Sequence, residues 1–458
     1  MRCQFSIATS LLARLPDTVR RQLGLHRMIR QFSSRPFVRN VAMVAGGTAA
    51  AQAITMAFAP IITRIYGPEA YGIQGVFMSV AGVLVAVAGL TYPIAIILPK
   101  YDGDAVGLAR LSVYIGIVLS MLAAVILFFF GEEILRFMNA EAISAFMYLL
   151  PAFMLISVMG AVMRQWLIRK KLFSLTAKVM VWQALITNAA KSGLGLVQPT
   201  AVVLIVTNTL GALLGAAMMF LGLRKSPPSN QGERTARPSS TVMTLAIRHR
   251  DFPLLRAPQE LLNTISQSIP VIVLAAHFGP ASAGFYSIAS AVLAVPALLV
   301  GNSVMQVFYP RINEAVHHGE DVKALIIKTT LGLSLAGVIP FAMVIIAGPA
   351  LFGFVFGDDW QAAGGYAQWL SLWLFFQYIN KPAVAAIPAL RLQKGLLIYE
   401  VLSTGTKVLA LYLGYSLFAS DLAAIALFSI FGVVAYVWLI FWVIFHSGKF
   451  KARVTAGN

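Results

Sequence analysis

Solid apolar runs separated by short polar punctuation recur along nearly the whole chain. About 20 such residues, wound as a helix, cross the ~30 Å hydrocarbon core of a bilayer. Twelve runs qualify, at 39–64, 72–98, 105–130, 143–167, 174–197, 199–223, 252–277, 282–308, 323–347, 363–388, 395–418 and 422–446. Runs 174–197 and 252–277 are the most interrupted by polar and charged groups. Alternating ten-residue strands of the kind that build membrane barrels are absent. The pattern predicts an all-α polytopic membrane protein with twelve transmembrane helices.

The runs also repeat. Tyr66-Gly67-Pro68-Glu69-Ala70-Tyr71-Gly72 separates the first two, and Phe278-Gly279-Pro280-Ala281-Ser282-Ala283-Gly284 separates the seventh and eighth, 212 residues later. Proline bars the incoming helix from continuing and glycine relaxes the backbone, so each copy predicts a tight helix–helix connection. A second echo pairs Gly131 and its neighbours with Gly348, and a third pairs Thr187–Lys191 with Ser403–Lys407. Duplicated halves in a membrane chain point to a transporter with its site between them. The organisation expected is a basic, peripheral extension at 1–36, a six-helix bundle at 37–223, a linker at 224–250, a second bundle at 251–448, and a tail at 449–458. The linker is rich in Ser and Pro and has the composition of a disordered segment.

Composition supports the membrane assignment. Charged residues make up 11% of the chain and mean hydropathy is +0.80, against roughly 25% charged residues in soluble domains. The net charge of +18 suggests nucleic acid until the charges are placed. Twenty-five basic residues fall on the N-terminus, linker, tail and alternate loops, and Arg136 alone on the opposite loops. That asymmetry places N-terminus, linker and C-terminus in the cytoplasm, and makes anionic lipid rather than nucleic acid the partner. Residues 1–36 hold seven arginines against Asp17, which fits an interfacial helix, a transit-like leader or a start assigned too far upstream. The single Cys3 excludes an internal disulfide framework.

Nine basic residues remain within or at the ends of the runs. Arg110, Arg164, Lys178, Arg256 and Lys328 lie near cytoplasmic ends, where long side chains snorkel. Arg256 also has Glu260 one turn on as a possible ion partner. Lys191, Lys381 and Lys407 lie deeper, where a lysine against lipid costs about 2.5 kcal/mol or more, so each is expected to face protein or water. Arg64, at the outer end of the first run, suits anchoring and binding equally. A cavity holding Lys191, Lys381 and Lys407, with Arg64 and Arg256, would attract anions. Glu260 and Glu400 are the carboxylates within the runs and the candidates for ion coupling. No phosphate-binding loop, HExxH, GxSxG or GxGxxG occurs. No cofactor, metal site or enzymatic activity is expected. Asp358-Asp359 and His317-His318 read as loop residues, and Gly211/Gly215 as a helix-packing pair.

The stretches Asn40–Ala50, Ala59-Pro60-Ile61-Ile62-Thr63-Arg64-Ile65-Tyr66-Gly67-Pro68-Glu69-Ala70-Tyr71-Gly72 and Tyr92–Pro99 resemble Wzx-type oligosaccharide flippases. These form a polysaccharide-biosynthesis branch of the multidrug/oligosaccharidyl-lipid/polysaccharide exporters. The resemblance covers about 39–446, and such proteins usually begin near position 35 of this chain. It implies two six-helix bundles related by a pseudo-two-fold axis along the membrane normal, around a central cavity. It also implies translocation of an undecaprenyl-pyrophosphate-linked oligosaccharide across a bacterial inner membrane, with polysaccharide polymerase and chain-length proteins as possible partners. Without a nucleotide site, energy must come from an ion gradient or from product removal. The rivals are a drug/cation antiporter of the same superfamily, which needs more buried acid than base, and a membrane-embedded polymerase or ligase, which needs a large outer loop. A non-transporting assembly subunit is the third.

Overall fold

A computed structural model describes residues 36–137, 139–225, 240–296, 308, 311–312, 314–316, 320–390 and 392–456. The expected extension, most of the linker, the far end of the 282–308 run, His317-His318 and Arg391 therefore lie outside the described residues.

Helix α1 (Pro36–Ala88) carries the first two runs as one element bent at Gly67, whose φ of 69° and ψ of 173° interrupt the helix. It ends at Ala88, earlier than expected from hydropathy. Leu90 and Thr91 take positive φ, and the short α2 (Tyr92–Ala95) begins with Pro93 in its first turn. The rest of the first half is α3 (Asp102–Phe137), α4 (Leu149–Arg169), α5 (Phe173–Gly195) and α6 (Ala201–Lys225). A short α7 (Val242–Arg248) then leads through a π-helical turn at Phe252–Arg256 into α8 (Ala257–Phe278), and α9 (Pro280–Pro296) follows. Next come α10 (Val322–Phe356), α11 (Gln361–Ile379), α12 (Lys381–Ala389), α13 (Gln393–Phe418) and α14 (Asp421–Ala456). Eight of the described helices are long and apolar enough to cross a membrane, α1 spanning the length of two crossings. Among those that fall short is α5, with Lys178, Gln183, Asn188 and Lys191. The chain is a multi-pass membrane protein, and its helices fit twelve crossings in two bundles.

Two expected spans are broken rather than straight. Ala347 leaves helical geometry inside α10, where Pro349 cannot bond back to the Ile345 carbonyl. Gln368 of α11 donates to that freed carbonyl at 2.7 Å. The 363–388 run is split between α11 and α12 at Asn380, because Pro382 cannot supply the N–H that a continuous helix needs.

The sequence repeat becomes a structural one. Gly279, like Gly67, has positive φ, at 87°. Each turn then sits on the other. A Cβ on Gly72 would lie 1.6 Å from the Pro280 carbonyl oxygen, and one on Gly284 would lie 2.1 Å from that of Pro68. The second limb of α1 thus crosses α9 backbone against backbone. In the first half Asn188 Nδ2 on α5 donates to Thr55 Oγ1 on α1 at 3.3 Å, and in the second Ser266 on α8 and Thr404 on α13 share a hydrogen bond of 3.0 Å. Gly131 packs against Met147, and Gly348 against Gly364. The end of the molecule carrying the two glycine turns is called the turn end below, and the opposite end the linker end.

At the linker end the buried Arg169 guanidinium bonds Asp102 (2.9 Å) and the Ile96 and Pro99 carbonyls (3.1 and 2.7 Å), and Lys170 adds a second contact to Asp102. Helix α7 docks on the first half by burying Leu245, and Tyr92 OH donates to the Ala246 carbonyl.

Candidate functional site

The polar groups that interrupt the second half's helices converge on one cavity of about 1090 Å³. Its walls come from the second limb of α1 and from α8, α9, α11, α12, α13 and α14. The cavity therefore spans the join between the halves and runs deep into the second.

Most of its polar lining is neutral. Gln74 comes from α1, Asn263 and Gln267 from α8, Gln377 and Asn380 from α11 and its end, and Ser and Thr hydroxyls from α9 and α13. Amides four and three residues apart share a helix face, so each pair presents donors and acceptors side by side. Gln377 Nε2 donates to Tyr436 OH at 2.9 Å. Asn380 is 1% exposed and its Oδ1 has no hydrogen-bond partner, an orphan at the helix break where an incoming donor is favoured.

Two lysines enter this neutral field. Lys381 is the first residue of α12, beside Asn380 and ahead of Pro382, so the break in the span places an ammonium where a helix N-terminus already favours anions. Lys407 Nζ lies 5.4 Å from the Trp373 ring centroid and 5.8 Å from that of Phe428. The rings hold the ammonium by cation–π attraction without neutralising it. Glu260 and Glu400 also line the cavity, both exposed and both near the linker-end starts of their helices. No ion pair joins either to a described residue under a 4.0 Å limit, and Arg256 does not reach Glu260.

Of the residues singled out by sequence, Lys381, Lys407, Glu260 and Glu400 are brought together here, and Lys191, Arg64 and Arg256 are not. Lys191 lies on the face of α5 that packs along α1. Tyr66 OH donates to its backbone carbonyl at 2.7 Å, so this turn of α5 lies against α1 within the first half. Arg64 is exposed and donates to the Phe354 carbonyl at 2.8 Å, a contact between halves. Arg256 is exposed in the π-helical turn at the linker end. The amides were missed by sequence reasoning that followed charges. Their signal was the short spacing of Asn263 and Gln267, and of Gln377 and Asn380, inside otherwise apolar runs. No group of three or more described His, Cys, Asp or Glu residues is arranged to hold a metal ion. Asp358 accepts from Gln361 Nε2 in a surface turn.

Residues 61–364 match the family model described as polysaccharide biosynthesis protein. The chain belongs to that family. Succinoglycan biosynthesis transport protein ExoT of Rhizobium meliloti (strain 1021) is 24% identical over 309 residues, covering 66% of this chain. The match spans 59% of that relative's length. Among solved structures, a multidrug resistance MATE family transporter of the MOP superfamily in an inward-facing conformation superposes with a TM-score of 0.69 at 16% identity, over 87% of this chain and 95% of the other. Lipid II flippase MurJ in an inward closed conformation gives 0.63 at 14%, over 89% and 90%. A MOP superfamily transporter from Pyrococcus furiosus gives 0.58 at 13%, over 90% and 96%. At these identities the likeness is one of fold, and that fold is the two-bundle architecture expected from the repeat.

Proposed function

We propose that this member of the family is a flippase that carries an undecaprenyl-pyrophosphate-linked oligosaccharide across the bacterial inner membrane by alternating access. The observation that carries the proposal is the lining of the cavity. Amides and hydroxyls suit a saccharide, which exchanges hydrogen bonds with water for hydrogen bonds with the wall. Lys381 and Lys407 suit a pyrophosphate, since each charge-assisted hydrogen bond contributes roughly 1.5–3 kcal/mol in a water-poor site. The likeness to a succinoglycan transport protein and to a lipid II flippase supports the same direction. The N-terminus, linker and C-terminus lie in the cytoplasm, so the cavity mouth near Glu260 and Glu400 faces the donor side. Those two carboxylates are the proposed coupling groups, and polymerase and chain-length proteins the proposed partners downstream.

The two cavity carboxylates favour one alternative, a cation or drug antiporter, because unpaired acids attract cations. Proteoliposomes separate the two. Purified protein should move a labelled lipid-linked oligosaccharide between leaflets and leave its mass unchanged. Exchange of organic cations against sodium or protons, with no movement of the glycolipid, would establish the antiporter instead.

A further inference from the structure

On the turn side of the cavity wall lies a buried side chain from a loop that hydropathy alone makes a passive connection. Trp360 lies between α10 and α11 and is 1% exposed, although its neighbours Asp358 and Asp359 are exposed. Its indole Nε1 donates to the Thr63 carbonyl on α1, across the join between the halves, at 3.1 Å. Its ring meets Tyr71 edge-on at 5.4 Å and Phe285 at 6.1 Å. Tyr71 is part of the cavity wall, and Phe285 precedes Tyr286, which also lines it. The indole therefore stands behind Tyr71 on the turn side of the cavity wall, where Gly72 and Gly284 bring α1 and α9 into backbone contact.

The adjoining last turn of α10 makes two more contacts across the join. Thr63 Oγ1 lies 3.3 Å from the Phe356 carbonyl, and Arg64 donates to the Phe354 carbonyl at 2.8 Å. Gly357 shapes the loop with φ of 109°. Behind it, Gly348 and Gly364 bring α10 and α11 into backbone contact, and Gln368 ties α11 to the Ile345 carbonyl. The loop is thus the tip of the α10–α11 hairpin, whose helices are in backbone contact and whose tip meets α1 of the first half.

We propose that Trp360 is a reversible plug for the turn end of the cavity, leaving its seat against Thr63, Tyr71 and Phe285 when the cavity opens to that side. Three hydrogen bonds to backbone carbonyls and two aromatic edges are few enough to break in a transport cycle. They are also specific enough to re-form in one position. The proposal rests on the transport reading only in requiring that the cavity open at both ends.

The test needs no substrate. In a Cys3→Ser background, Gln267→Cys places a thiol in the cavity for a membrane-impermeant reagent added from either side. With Trp360 intact, labelling from the linker side should be fast and from the turn side slow. Trp360→Ala should raise the turn-side rate about tenfold or more, and Trp360→Phe, which keeps a ring edge but loses the N–H, should raise it less. Unchanged turn-side labelling in Trp360→Ala at equal abundance overturns the plug. Should that variant fail to accumulate, Arg64→Cys with Phe354→Cys, bridged by a short reducible cross-linker, decides the matter. In a chain that keeps Gln267, the bridge should block glycolipid movement until it is reduced, and undiminished movement in the bridged protein overturns the proposal. Absence of glycolipid movement in every sample would count against the transport reading alone, since the labelling rates still report on the plug.

Discussion

Lys407 shows how a charge is kept inside a membrane protein without being spent. Aromatic faces at 5.4 and 5.8 Å steady the ammonium but leave its three N–H donors free for an anion. Lys407→Ala should weaken binding of a polyprenyl pyrophosphate roughly 10- to 150-fold, the equivalent of one charge-assisted hydrogen bond. Lys407→Arg should retain much of the affinity, and protein abundance should not change in either. Titration of the purified variants checks this, and an unaltered dissociation constant in Lys407→Ala would remove the lysine from the site. A different residue-scale constraint applies at Gly72. Any side chain there must displace the Pro280 carbonyl, so Gly72→Val should lower the melting temperature by the equivalent of at least about 1–3 kcal/mol, the usual cost of overpacking. The same change at Gly193, where a Cβ meets open space, should be much milder, which a thermal scan of both would reveal.

At the scale of elements, the break between α11 and α12 is the feature that places Lys381. Pro382→Ala restores an N–H and lets the two helices join. The variant should be as stable as the parent or more so, yet bind a polyprenyl pyrophosphate less well, because the ammonium turns with the helix. Equal binding with equal stability would mean that the break has no part in the site. How much of this was legible beforehand differs by element. The apolar runs and the Gly-Pro turns were readable because span length and turn chemistry are local properties. The break at Asn380 is also local, and Pro382 announced a disturbance, but the run was apolar enough to pass as one span. The placement of Lys191 was not legible. Lys191 and Lys407 lie in similar stretches of sequence in the two halves, yet only Lys407 lines the cavity. That difference depends on how the helices of each half spread, which is a tertiary property. The neutral amides were visible in the sequence and were passed over because charged residues in a membrane dominate a search by cost.

For the whole molecule, orientation is the expectation that everything else depends on. In a Cys3→Ser background, a cysteine at Ser239 should react with an impermeant reagent only from the cytoplasmic side, and reaction from outside would invert the assignment of donor and acceptor faces. The two halves then meet in two quite different ways at the turn end. Trp360 is a large, orientable side chain. The crossing of Gly72 on Pro280 and Gly284 on Pro68 is bare backbone. Ordering a long side chain costs up to about 1.5–2 kcal/mol in lost rotamers, while glycine and proline lose essentially none. The crossing therefore has no side-chain rotamers to order as it closes, and any such cost at the turn end falls on Arg64, which reaches the Phe354 carbonyl, and to a lesser degree on the indole.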